Sequence, residues 1–297
     1  MEFASIVENR IEIEDNPKKV FNALVCFKKE VTGKALSEIT SLMSCGKQKK
    51  SSITLLNLIS EEQANSIEDE NIYKSKLLSH IINENISDKT TVRTFVKESN
   101  NIVDDIIKTA EEQNCDIIMT GIDEFNPLQW NKYLQLKENS FASEEDYIRE
   151  LGKEQASKLR VLITILNKTE KALGILVGAS YNKLDNIFAP ILKEEDVLTF
   201  SYLNQIAKSE NVTITVWDAI GILESNNKIQ KIFSTMTKKA EGDIKLWDNN
   251  KKISIDFMKD QDLMIIGRSG WERLVCTPLC WIQNDMPSTL IIKDKKT

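Results

Sequence analysis

The sequence predicts an α/β fold of two tandem units, each a parallel sheet flanked by helices. Three observations carry this. Short apolar runs alternate with longer stretches whose apolar residues recur every three or four positions. Several runs are apolar on both faces, as strands buried in a parallel sheet must be. The pattern also repeats: Asp116–Gly121 and Asp262–Gly267 share an Asp, an apolar run and a Gly, and Ile53-Thr54-Leu55 matches Ile214-Thr215-Val216.

Phe21–Phe27 reads as the first strand. A helix over Thr32–Ser44 follows, because Ala35, Ile39, Leu42 and Met43 make one stripe and Gly46 stands where a C-cap would. Ser52–Ile59 is a strand, and Glu61–Glu84 carries a helical pattern in its second half. Val92–Val96 is a strand, Asn100–Gln113 an amphipathic helix and Asp116–Gly121 a strand ending at glycine. A loop-like stretch with Pro127 leads to a helix within Ser143–Thr164, then the strand Ala172–Val177.

The order then restarts. Asn186–Leu192 is a strand, Asp196–Ser209 a helix, Val212–Trp217 a strand and Asn227–Lys239 a helix. Asp243–Trp247 and Asp262–Gly267 are strands, a helix starts at Trp271, and Ser288–Ile292 closes the series. The expected division is an N-terminal extension over 1–20, a first domain over 21–180 and a second over 186–294. The short polar connection Ser180–Asp185 divides the two domains.

Composition narrows the function. The 297 residues are 41% hydrophobic, enough to fill real cores and exclude wholesale disorder. A net charge of −6 argues against a nucleic-acid binder with a broad basic face. No apolar run approaches the ~20 residues of a membrane span, and the start lacks the basic and apolar pattern of a secretory signal. Five scattered cysteines read as reduced thiols of a cytosolic protein.

This order of elements, run twice across Phe21–Lys293, resembles tandem universal stress protein domains. The resemblance implies a five-stranded sheet of order 3-2-1-4-5 in each half. It also implies antiparallel pairing of the fifth strands, Ala172–Val177 and Ser288–Ile292. Within that superfamily the chain resembles the cytosolic C-terminal region of bacterial cation/proton (Na+/H+) antiporters. Phe21–Phe27 followed by Thr32-Gly33-Lys34-Ala35-Leu36 is similar to the start of that region. Ala189-Pro190-Ile191, Glu195-Asp196 and Phe200-Ser201-Tyr202 are similar to the start of its second half. Asp262-Leu263-Met264-Ile265 and Pro287–Ile292 are similar to its end. The resemblance implies a non-catalytic regulatory module on the cytosolic face of the inner membrane. Its partner would be a membrane transport domain absent from this chain, with a homodimer as a further option. A free-standing nucleotide-binding stress protein is the alternative, and an α/β nucleotidyl transferase a remote third reading.

Stress proteins that bind ATP carry Gly, two residues, Gly, nine residues, Gly and Ser or Thr after the fourth strand. Glycines there let backbone N–H groups approach phosphate at a helix start. Gly121 is followed by Ile122-Asp123-Glu124, so the first half breaks the pattern and sets acid where phosphate would go. The second half keeps Gly267-Arg268-Ser269-Gly270 but has Cys280 and Trp281 at the third glycine and its partner. The family's acid after strand one is also missing, at Phe27-Lys28-Lys29 and at Leu192-Lys193. No cofactor is expected. If an anion binds, ATP or a cyclic nucleotide included, the expected place is the switch point of the second half. Leu192, Lys193, Gly267, Arg268, Ser269, Gly270 and Trp271 would line it. The two glycines serve equally well in a tight strand-to-helix turn.

Other chemistry is weaker. His80 is the single histidine and has no triad partner at a meaningful spacing. Asp104-Asp105 and Glu194-Glu195 are neighbours whose side chains diverge, so they read as solvated faces. Cys276 and Cys280 could share a helical face, but zinc needs about four ligands, so both read as small buried residues. Trp217-Asp218 and Trp247-Asp248 lie too close together for propeller repeats.

Overall fold

The structure is a computed structural model and describes residues 3–8, 20–44, 50–81, 90–122, 143, 145–146, 149, 152–178, 183–209, 211–277 and 286–295. The first half runs β1 (Phe21–Phe27), α1 (Glu30–Met43), β2 (Ser51–Ile59), α2 (Glu61–Asn65), α3 (Glu70–Ile81), β3 (Thr90–Glu98), α4 (Ile102–Glu112), β4 (Ile117–Ile122), α5 (Lys153–Lys168) and β5 (Ala172–Val177). The second runs β6 (Asn186–Ile191), a 3-10 turn (Glu194–Thr199), α6 (Phe200–Ile206), β7 (Thr213–Asp218), α7 (Ile222–Ser225), α8 (Asn227–Lys239), β8 (Asp243–Leu246), α9 (Ile255–Lys259), β9 (Leu263–Gly267), α10 (Arg268–Val275) and β10 (Ser288–Lys293).

All described strands belong to one ten-stranded sheet of order β3-β2-β1-β4-β5-β10-β9-β6-β7-β8. The expectation of a five-stranded sheet in each half is corrected here: the two sets of five join into a single sheet. β5 and β10 pair antiparallel, with Ile175 opposite Ile291, and every other neighbouring pair is parallel. An apolar edge strand left open invites another strand, and here each closes the other's edge. Read outward in from either end, each set of five strands has the order 3-2-1-4-5.

Side chains alternate across the sheet, and each face carries one core. Ala23, Val25 and Phe27 of β1 enter one core with α1, α3, α6 and α8. Leu24 and Cys26 enter the other with α4, α5 and α10. Both cores contain residues of both halves, and α1 packs on α6 across the sheet centre.

The repeated Asp has a local cause. Asp116 accepts the Asn22 N–H at 3.0 Å and Asp262 accepts the Asn186 N–H at 2.8 Å, each tying the start of the half's first strand. The reciprocal bonds run from Asp116 N–H to the Asn22 carbonyl at 2.7 Å and from Asp262 N–H to the Asn186 carbonyl at 2.9 Å.

Several elements differ from expectation. The helix placed at Asp196–Ser209 begins as a 3-10 turn, because the Asp196 side chain bends back onto the strand end. The helix placed at Trp271 starts at Arg268. The one placed within Ser143–Thr164 runs Lys153–Lys168. Residues 3–8, read as part of an extension, form a helix that buries Ala4 and Val7 in the first core. There the Lys228 ammonium of α8 pairs with Glu8 at 2.7 Å and donates to Ser5 Oγ at 3.0 Å. Cys276 is exposed at the end of α10 rather than buried, since the chain is leaving the core there. Cys280, Trp281, Asp123 and Glu124 lie outside the described residues, as does the His80 side chain.

Candidate functional site: the switch point of the second half

β6 and β9 lie side by side and parallel, and their C-terminal ends open toward the 3-10 turn and the start of α10. Connections leave adjacent strands in opposite directions here, so a cleft is expected. Asp196 sits in it with no exposed surface. Its Oδ2 accepts the N–H groups of Leu192 at 2.8 Å and Lys193 at 2.9 Å. Its Oδ1 accepts the Gly270 N–H at 2.9 Å, joining two segments far apart in sequence.

This explains the Gly267-Arg268-Ser269-Gly270 pattern. A Cβ on Gly267 would collide with Asp196 Oδ1, and one on Gly270 with Asp196 Oδ2. The glycines admit the chain's own carboxylate, and Gly270 presents its amide to it. Burial pushes the Asp196 carboxyl up to about 6, against the three backbone N–H bonds that favour its charged form, while nearby Glu195 adds to the rise.

Beside this carboxylate remains a cleft of ≈ 170 Å³. Glu195, Leu198 and Thr199 form one wall, Gly267, Arg268 and Ser269 another, and Ile292, Lys293 and Asp294 the third. Of the residues expected to line it, the structure brings together Gly267, Arg268 and Ser269. Trp271 does not line it; its side chain is fully buried in the second core, because α10 turns that face to the sheet. Lys193 is exposed and outside the cleft walls. The Arg268 Nε pairs with Glu272 Oε1 at 2.9 Å along α10, and the Lys293 ammonium donates to the Thr169 carbonyl at 2.9 Å. Arg273 holds the strand end itself, donating to the Leu192 carbonyl at 2.6 Å.

Sequence reasoning missed the role of Asp196. It sought an acid directly after the strand, where Leu192 and Lys193 stand, whereas the tight turn returns one from further along. The available signal was an acid shortly after the strand together with two glycines that only a close approach requires.

The first half repeats the arrangement without the charge. Thr32 follows Asn22 by as many residues as Asp196 follows Asn186. A Cβ on Gly121 would collide with Thr32 Cγ2, as one on Gly267 would with Asp196. A methyl group thus fills the place that the carboxylate holds in the second half.

Among the described residues, no three His, Cys, Asp or Glu side chains are placed to hold a metal ion. Among them, no helix is long and apolar enough to cross a membrane.

No family model matches the chain, and no curated protein matches its sequence. Among solved structures, it is similar to the cytoplasmic domain of a prokaryotic cation chloride cotransporter. Identity is 10%, 93% of this chain and 96% of that one are covered, and the TM-score is 0.48. A short-chain dehydrogenase from Oenococcus oeni PSU-1 aligns over 78% of this chain and 98% of its own, at 11% identity and a TM-score of 0.27. Neither likeness carries a functional argument, and the fold rests on this chain's own strand order.

Proposed function

We propose that the chain is a non-catalytic regulatory module that acts from the cytosolic face on a membrane cation/proton antiporter and biases its transport. The observation that carries the reading is the Asp196 carboxylate seated on the Leu192, Lys193 and Gly270 amides. In an open α/β sheet those amides are where a nucleotide phosphate would be cradled. A built-in carboxylate there suits a module that signals through its surfaces better than one that turns over a nucleotide. The antiporter class is supported by the sequence resemblance, whose motifs run from Phe21 to Ile292.

The alternative is a free-standing tandem stress protein that binds a nucleotide. The cleft beside Arg268 and Ser269 favours it.

Two measurements separate the readings. Under the first, the gene's reading frame or its neighbour encodes a series of apolar spans. In everted membrane vesicles holding that transporter, removal of this chain shifts the pH dependence of cation/proton exchange. Under the second, calorimetry gives stoichiometric nucleotide binding, and removal of the chain leaves exchange unchanged.

A further inference from the structure

The sheet has two outer strands, β3 and β8, and they differ in kind. β8 spans four residues, the short edge that discourages pairing. β3 spans nine residues, all in register with β2 on its inner side, and no described strand pairs its outer side. Each edge carries one exposed large apolar side chain, Phe95 at 38% in the middle of β3 and Leu246 at 53% at the end of β8, so length is what separates them.

Charged side chains on an edge usually keep other strands away, and β3 carries Arg93 and Lys97. Both are drawn onto α4 and its C-terminal end. Lys97 Nζ pairs with Asp105 Oδ1 at 2.6 Å, and Arg93 Nη1 donates to Gln113 Oε1 at 3.3 Å. Ser99 Oγ also donates to Asp105 at 2.6 Å, and these partners hold the Asp105 carboxyl below its ordinary value despite its partial burial.

We propose that a second copy of this chain adds antiparallel to the outer side of β3, about a two-fold axis through Thr94, making one sheet of the two molecules. The sequence of β3 selects this axis. Antiparallel pairing keeps directly opposite residues on the same face, so the axis passes through a residue. Thr94 is the central residue, and an axis there pairs all nine. It sets Val92 opposite Val96, Thr91 opposite Lys97 and Thr90 opposite Glu98. Arg93 stands opposite Phe95, where a guanidinium can lie over the ring. No like charges stand directly opposite one another. An axis through Arg93 would oppose that residue to itself, and one through Phe95 would set Arg93 against Lys97. At the axis Thr94 stands opposite its own copy. The proposal is independent of the regulatory reading.

Sedimentation equilibrium of the full chain tests it. The wild type is expected to show a monomer–dimer equilibrium. Phe95→Lys sets Lys against Arg93 twice per dimer and should raise the dissociation constant roughly tenfold to a hundredfold. Adding Arg93→Glu to Phe95→Lys restores an opposite-charge pair and should recover most of the loss. Circular dichroism checks that each variant is folded. Deuterium exchange over residues 90–98 should slow as concentration rises, with no such change at β8. A wild type that stays monomeric to its solubility limit would overturn the proposal. So would a dimer indifferent to Phe95→Lys, a double variant that remains monomeric, or concentration-dependent protection at β8 instead.

Discussion

The Asp196 carboxylate accepts the Gly270 N–H at 2.9 Å across 74 residues of sequence, and Gly270 has no space for a side chain because that carboxylate fills it. The two residues are one device. Gly270→Ala should therefore destabilise the protein by about 1–3 kcal/mol, the usual cost of overpacking. Asp196→Ala should cost a similar amount, by leaving three amides, two of them buried, without their acceptor. Because the new methyl and the lost carboxylate compete for one space, the double variant should cost less than the sum. Urea unfolding of the four proteins measures the coupling, and strict additivity would mean that the two do not share that space.

Asp196 also sets a pH dependence. Its folded value of about 6 lies above the ordinary 3.8, so between these limits the folded state holds more protons than the unfolded one. This group's contribution is therefore greatest at and below pH ~4 and falls as pH rises toward ~6, by an amount on the order of 2–3 kcal/mol. Asp196→Asn removes the titration. The stability of the wild type relative to this variant should decline from pH 4 to pH 6 and level off above. A difference that grows with pH in that window would show that the amides outweigh desolvation.

The same geometry predicts how an anion would behave. Phosphate-bearing ligands reach the Leu192, Lys193 and Gly270 amides only if Asp196 leaves them. ATP titrated calorimetrically should therefore bind Asp196→Ala more tightly than the wild type. Tighter binding to the wild type, unaffected by Arg268→Ala, would place any nucleotide site elsewhere.

The two halves should unfold together, since each face's core draws on both. Four of the five tryptophans, Trp217, Trp247, Trp271 and Trp281, lie in the second half, and a Trp130→Phe background leaves fluorescence to report on that half alone. Leu36, fully buried in α1 of the first half, is a suitable probe. Leu36→Ala should lower stability by about 2–5 kcal/mol, and the tryptophan fluorescence midpoint should move with the circular dichroism midpoint. Two separated transitions would mean that the shared cores do not couple the halves.

The strand-tying aspartate of the second half should matter through the bonds it accepts. Asp262 accepts two backbone N–H groups, from Asp185 at 2.9 Å and Asn186 at 2.8 Å, and the loss of both is the cost of its removal. Each lost acceptor costs about 1–3 kcal/mol when its donor is left unpaired. Asp262→Ala should thus lower the thermal midpoint further than Asp262→Asn, whose amide oxygen can still accept.

The sequence by itself determined the elements and the repeat. An apolar run such as Ile117–Gly121 or a stripe such as Val103, Ile106 and Ala110 states locally which side is buried, because backbone geometry fixes the period. The antiparallel seam of β5 and β10 was also legible, from the resemblance together with two apolar strands that each needed a partner. Tertiary structure alone decided what the switch point contains. No period links Asp196 to Gly270, and the bond exists only because parallel pairing of β6 with β9 brings a strand end beside a helix start. Likewise, nothing local distinguishes a glycine that admits phosphate from one that admits a carboxylate or the Thr32 methyl; the space each leaves is filled by whatever the fold brings opposite.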